Sequence, residues 1–268
     1  MSAMANASHA AAAQPGDAYV QSFARGLEVI RTFSAAAPRQ TLTEVAGRAG
    51  LTRAGARRIL LTLQTLGYVE SDGKLFALTP RILDLGFAYL SSMPIWNLAE
   101  PVMEALVARV KESCSAAALE GTDIVYVIRV PTRKIMSIGL GVGSRLPAYC
   151  TSMGRVLLAG LADDEVLRRL RASKRAELTR HTITDIDALL AKVQQARRQG
   201  WCLVNQELEE GLVSIAAPLA NRAGRTVAAL NISGQANRTS AKLMQETMLP
   251  PLLDAARSIS RLLAAQRT

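Results

Sequence analysis

Residues 41–66, TLTEVAGRAGLTRAGARRILLTLQTL, constrain the fold more than any other stretch, because a lone glycine separates two short helical periodicities. Val45, Ala46 and Ala49 give a first helix one packing face. Gly50 supplies a turn in which a Cβ would be strained, and Leu51 plugs the corner. Thr52 is placed to cap a second helix, in which Ala56, Ile59, Leu60 and Leu63 recur at the helical period and must face a core. Arg53, Arg57 and Arg58 are then left pointing outward, with no acid on that face. The pattern is a helix-turn-helix whose second helix carries a basic face, and it predicts double-stranded DNA as partner.

The flanks complete a small domain. From Tyr19 to Ser34, Phe23, Leu27, Ile30 and Phe33 mark one face of a support helix that Pro38 ends. After Leu66, Tyr68–Glu70 and Lys74–Leu78 read as strands joined by a Ser71-Asp72-Gly73 turn, which makes a wing with Lys74 near its tip. Thr79-Pro80 reads as a cap followed by proline at the first helical position, opening a linker helix with Leu83, Phe87 and Leu90 on one face. Those three side chains can pack within one chain or between two protomers. Met93-Pro94 interrupts the pattern, so a domain boundary is expected near Ser91–Ile95.

Beyond Ser113 the chain changes to strands. Ala116–Glu120, Ile124–Val130 and Ile135–Leu140 come first, then helices beginning at Thr151 or Ser152, at Asp163 and at Asp185. Trp201–Val204, Val213–Ala220 and Thr226–Ile232 read as further strands, before a final helix, Ser240–Ala265, that Pro250-Pro251 should kink. The expected organisation is a disordered tail over 1–18, a winged helix-turn-helix over 19–79, a linker helix over 80–94 and a mixed α+β domain over 95–268.

Composition narrows the function. The formal net charge of +10 favours a polyanionic partner, and no run reaches the roughly 20 apolar residues of a membrane-spanning helix. The Ala-rich first residues do not match a secretory signal. Cys114, Cys150 and Cys202 are scattered without paired spacing, which suggests neither a disulfide framework nor a zinc site and fits a reducing cytoplasm. His9 and His181 are the only histidines, too few for a His-based catalytic or metal centre. No cofactor is implied.

The order YVQSFARGLEVI, helix-turn-helix with wing, LPAYCTSMGRVLLAG, GWCLVNQELEEGLVSIAAPL and NISGQANRTS resembles the IclR (isocitrate lyase regulator) family of bacterial transcription factors over Tyr19 to about Leu263. RGLEVIRTF and SGQANRTS are most similar to its PcaR-type subgroup, which controls the β-ketoadipate branch of aromatic catabolism, and to p-hydroxybenzoate-responsive relatives. The resemblance implies a GAF-like effector-binding C-terminal domain and a homodimer or dimer of dimers. It also implies operator DNA, a small carboxylate such as β-ketoadipate, and RNA polymerase as a further contact. Carried over by position, Thr43, Thr52, Arg53, Ala54, Gly55, Arg57, Arg58 and Lys74 are expected at DNA. Ile138, Arg145, Tyr149, Ser152, Met153, Val204, Asn205, Ser214, Asn231 and Ser233 are expected at the effector.

Several residues admit two readings. Gly55, unfavourable in a helix by about 1 kcal/mol relative to alanine, suits either close approach of the backbone to DNA or packing against a neighbour. Arg129, Arg145 and Arg155 are candidates for a second carboxylate, with surface solvation as the plainer reading. An acid common in the family is replaced by Val204, which favours a doubly anionic effector. Glu207, Glu209 and Glu210 read as a solvated loop, and Cys150, before a helix start but without a base, as a packing residue rather than a nucleophile. Against the leading expectation of an effector-responsive regulator stand a Cys150 or Ser152 hydrolase and a non-specific nucleic-acid binder. The expected sign is activation in response to β-ketoadipate, with repression the nearest alternative.

Overall fold

The computed structural model describes residues 19–92, 95–132 and 140–265, so the tail over 1–18, the expected strand at 135–139 and Ile138 lie outside the described residues. The chain divides between residues 93 and 94 into two compact units.

The N-terminal unit is built on helix α1 (Gln21–Arg31), strand β1 (Arg39–Thr41), helices α2 (Leu42–Arg48) and α3 (Arg53–Thr65), and strands β2 (Val69–Ser71) and β3 (Leu75–Leu78). A complete capping box starts α2: Thr41 accepts from the Glu44 amide while the Glu44 carboxylate accepts from the Thr41 amide at 2.8 Å. Gly50 has φ +64°, the left-handed turn expected of it. Val29, Val45, Leu60, Leu63 and Val69 form the core, with Ile30, Phe33, Leu51 and Ile59 packed against it. The apolar face expected on α1 is therefore corrected: Val29, Ile30 and Phe33 are the inward residues, whereas Phe23 is 68% exposed and Leu27 is also exposed.

Strand β3 pairs antiparallel with both β2 and β1, the latter lying where sequence suggested only a loop. Asp72 organises the wing turn by accepting from the amides of Lys74 and Leu75, and Arg39 of β1 pairs with its carboxylate at 2.9 Å. Thr79 does not cap the linker. Its hydroxyl donates to the Gly67 carbonyl at 2.5 Å, a single 3-10 turn spans Pro80–Ile82, and helix α4 (Leu83–Ser92) follows.

The second unit opens with α5 (Ile95–Val110) and continues through β4 (Ser113–Glu120), β5 (Asp123–Val130), β6 (Arg145–Pro147), α6 (Ser152–Ala159), α7 (Asp163–Ala172) and α8 (Ile186–Gln199). Strands β7 (Cys202–Asn205), β8 (Leu212–Ala220) and β9 (Thr226–Gln235) precede α9 (Ala241–Leu243) and α10 (Leu249–Ala265). The strands form one antiparallel sheet in the order β6-β5-β4-β9-β8-β7. Helices α5 and α10 pack on each other and on the sheet, and α6 packs on the sheet and on α8.

The kink expected at Pro250-Pro251 takes the form of a π-helical turn at Met244–Met248, immediately before α10. Prolines lack the N–H that closes an α-turn, and a wider turn accommodates the missing donors without ending the helix.

Alternation along the strands places the cavity. On β9, Ala229 joins the apolar cluster beneath α6, and the next residues on that face, Asn231, Ser233 and Gln235, are polar. On β8 the same face changes from Ala216 to Ser214. The close-packed core stops where these small polar side chains begin.

Candidate functional site

Two surfaces carry chemistry. In the N-terminal unit the Thr52 hydroxyl accepts from the Gly55 amide at 3.1 Å and starts α3. With Ala56, Leu60 and Leu63 buried, Arg53, Ala54, Arg57 and Arg58 are exposed, as are Thr43 and Thr52. No acid lies in α3 to neutralise the arginines. Gly55 is partly buried, and a Cβ there would lie 3.2 Å from Thr52 Oγ1, so its small size serves the cap of its own helix. Lys74 is exposed beside the Gly73 turn of the wing. Arg39, fixed by Asp72, adds a cation to the wing side that sequence reading did not find, because β1 was not recognised.

In the second unit a cavity of about 290 Å³ opens beside the start of α6. Thr151 caps this helix by accepting from the Gly154 amide at 3.2 Å, and Ser152 and Met153 line the cavity together with Ser214, Asn231 and Ser233. Ser152 Oγ and Ser214 Oγ lie 2.8 Å apart. Asn231 Oδ1 accepts from the Ser115 amide at 3.1 Å, and its Nδ2 donates to Ser233 Oγ at 2.9 Å, which fixes the orientation of both side chains. The first turn of α6, whose amides have no intrahelical partner, thus faces hydroxyl and amide groups held by neighbours. Gly154 is required here: a Cβ would fall 2.2 Å from the Ala148 carbonyl oxygen.

The cavity wall also carries charged residues. Glu112, Arg129 and Arg238 line it, with Arg238 3.8 Å from the buried Glu112 carboxylate. Arg129 stands where a second carboxylate could reach it, while Glu112 was missed. It lies immediately before β4, beside Gly234 of β9, a proximity created by strand pairing and invisible in spacing.

Four expected effector residues lie elsewhere. Arg145 is on the exposed face of strand β6, engaged by Glu120 at 2.5 Å and Asp123 at 3.3 Å. Tyr149 is buried and donates its hydroxyl to the Ala176 carbonyl at 2.6 Å. Val204 pairs with Ser214 across the sheet and shares its face, yet it sits on the outermost strand inside the apolar cluster and outside the cavity wall. Its neighbour Asn205 points to the opposite face and is exposed at a second, open depression with Lys192 and Trp201. The lack of an acid at Val204 therefore does not make the cavity acid-free, since Glu112 stands in its wall.

Two further readings are corrected. Arg155 is neither solvated nor in the cavity but 1% exposed, and Glu207 is buried as its partner rather than part of a solvated loop. Their guanidinium and carboxylate meet through two parallel bonds of 2.7 and 2.5 Å. Cys150 is buried, and desolvation pushes its thiol up to about 12, so at neutral pH it is no nucleophile. Among the described residues no group of His, Cys, Asp and Glu side chains could hold a metal ion, and no helix is long and apolar enough to cross a membrane.

Comparison with known proteins places each unit in a known domain family. Residues 22–73 match the IclR helix-turn-helix domain, and residues 87–261 match the bacterial transcriptional regulator IclR C-terminal domain. The chain is 42% identical over 242 residues to the Pca regulon regulatory protein of Pseudomonas putida, covering 90% of this chain and 83% of that one. A crystal structure described as a transcriptional regulator from Rhodococcus sp. RHA1 shares 50% identity at TM-score 0.82, covering 91% of this chain and 98% of that one. An IclR homolog complexed with 4-hydroxybenzoate, from Microbacterium hydrocarbonoxydans, shares 26% identity at TM-score 0.80, covering 92% of this chain and all of that one. Relatives of this kind are DNA-binding regulators and not enzymes, which removes the hydrolase alternative. The chain belongs to the IclR family of transcriptional regulators.

Proposed function

We propose that this protein is a ligand-responsive, sequence-specific regulator of genes for aromatic-compound catabolism of the β-ketoadipate and protocatechuate type. The observation that carries this reading is the pairing, in one chain, of an exposed arginine face on a capped helix with a cavity built around a second capped helix start. Arg53, Ala54, Gly55, Arg57 and Arg58 enter the major groove of an operator, with Thr43, Thr52 and Lys74 at its edges. Ser152, Met153, Ser214, Asn231 and Ser233 hold one carboxylate of a small effector, supported by the amides of α6.

Two effector chemistries fit the charged part of the wall. Arg129 and Arg238 suit a second carboxylate, as in β-ketoadipate. Glu112 favours a hydroxyl donor instead, because it accepts from a phenol and repels a like charge. The 4-hydroxybenzoate held by the Microbacterium relative belongs to this second class. Calorimetric titration of the full chain with β-ketoadipate, protocatechuate and 4-hydroxybenzoate decides between them. Heat from none of the three removes the aromatic-pathway reading, though not membership of the family.

The protein works in the cytoplasm as a homodimer or dimer of dimers, by activation through RNA polymerase or by repression. Exposed apolar side chains support the pairing: Tyr19, Val20, Phe23 and Leu27 at α1, and Leu83, Leu85, Phe87 and Tyr89 on α4. Leu83 and Phe87 are 70% and 67% exposed, which favours packing between protomers over packing within one chain. Phe87→Asp should lower the sedimenting mass at micromolar concentration, and an unchanged mass would remove α4 from the interface.

A further inference from the structure

Arg155 and Glu207 form an ion pair in which both side chains are buried, yet neither residue lines the effector cavity. Replacing such a buried pair with apolar side chains of similar size is often neutral or stabilising, so stability alone does not account for it. What a bidentate pair does uniquely is fix direction.

Both partners are anchored beyond their own contact. Arg155 Nε donates to the Tyr149 carbonyl at 2.9 Å, so the guanidinium ties α6 to the segment that precedes it. Glu207 sits in the turn between β7 and β8, where the Thr182 hydroxyl donates to its carbonyl at 2.6 Å and the Ile183 amide donates to its carboxylate at 3.3 Å. The Thr179 hydroxyl holds the carbonyl of the adjoining Gln206 at 2.6 Å. Each partner is also close in sequence to cavity wall. Ser152 and Met153 lie within one turn of Arg155 on α6, and Leu208 and Leu212 belong to the turn that carries Glu207 and the strand after it.

We propose that Arg155 and Glu207 are the positioning clamp of the effector cavity, setting the anion-binding start of α6 against the Leu208 wall and so determining which effectors fit. The clamp touches no effector. It acts by holding two walls built from distant parts of the chain in one register. This rests on the cavity being the effector site, as proposed above.

The test uses the full chain, the double variant R155M/E207L and the single variant R155K. R155M/E207L removes both buried charges together, which avoids an unpaired buried ion, but it also leaves the Tyr149 carbonyl and the Ile183 amide without their side-chain partners, so its melting temperature should fall by a few degrees while the protein stays folded. R155K keeps the charge but replaces the planar fork with a single ammonium, and it serves if the double variant does not fold. In the absence of effector, hydrogen exchange at 151–153 and 206–212 should be about tenfold faster in either variant, with the α8 amides unchanged. Exchange at the original rate in both segments overturns the clamp, whatever the effector is.

Affinities for β-ketoadipate, protocatechuate and 4-hydroxybenzoate should fall roughly tenfold or more, and the preference among them should flatten. A folded variant that keeps the original affinities and the same preference shows that the pair is structural only, and overturns the proposal. If the unsubstituted protein binds none of the three, the effector reading fails, while the exchange measurement still decides the clamp.

Discussion

Helices α3 and α6 begin with the same local grammar and stand in opposite surroundings. Helix α3 starts at Thr52-Arg53-Ala54-Gly55 and α6 at Thr151-Ser152-Met153-Gly154, and in each the threonine hydroxyl accepts from the amide of the glycine three residues on. The start of α3 is open to solvent, and its arginines present exposed cations. The start of α6 is buried through Leu158, and it offers fixed amides and hydroxyls to a molecule small enough to enter a cavity. Identical caps thus leave one helix start exposed and the other buried beside a cavity, and the surroundings decide which.

The glycines should separate the two regions most sharply. Gly154→Ala places a methyl group against the Ala148 backbone and should destabilise the second unit by about 3 kcal/mol or more. Gly55→Ala meets only Thr52 Oγ1, and its better helix propensity of about 1 kcal/mol offsets the crowding. Urea unfolding of the two variants measures both, and equal losses would dissolve the distinction between the two helix starts.

Next in size are the arginines. Arg53→Ala and Arg57→Ala should each weaken operator binding by about 1–3 kcal/mol where they read a base, with relaxed preference at that position. Where they hold phosphate the loss is uniform across sequences, and the salt slope falls by about 1. Fluorescence anisotropy over a salt series distinguishes these, and unaltered affinity in both variants would remove α3 as the reading helix.

Smaller effects should follow at the caps. Thr52→Ala and Thr151→Ala should each cost about 1 kcal/mol. Thr151 is the more sensitive, since it is buried and its hydroxyl also donates to the Pro147 carbonyl at 3.0 Å. A change of similar size is expected in the cavity itself. Ser152→Ala and Asn231→Ala should each weaken effector binding by about 1 kcal/mol in calorimetry while leaving effector-free operator affinity unchanged.

How legible each region was in the sequence follows from the same contrast. The helix-turn-helix is local, so Gly50, Thr52 and the buried Ala56, Leu60 and Leu63 could be read from periodicity, and the outward arginines followed by subtraction. Strand β1 was missed because only its pairing with β3 makes it a strand. In the second unit Ser152, Met153, Ser214, Asn231 and Ser233 were placed by resemblance, and the structure brings all of them to one cavity.

Arg145, Tyr149, Val204 and Asn205 were not brought there. The directions of Arg145, Val204 and Asn205 depend on strand register and edge position, and that of Tyr149 on the turn before α6, where its hydroxyl meets the distant Ala176 carbonyl; spacing encodes neither. Glu112 and the Arg155–Glu207 pair escaped for a related reason. An ionised side chain is assigned to the surface by default, and only the fold supplies the burial and the partner that reverse that assignment.

The central claim is that occupancy of the cavity at α6 controls what α3 does on DNA. The direct measurement is in vitro transcription from a promoter carrying an operator selected with the full-length protein, with and without an effector shown by calorimetry to be bound. The predicted result is a change in transcript level of about 5-fold or more, the lower end of ordinary allosteric coupling. Saturating, calorimetrically verified effector that leaves the transcript level unchanged would contradict the account.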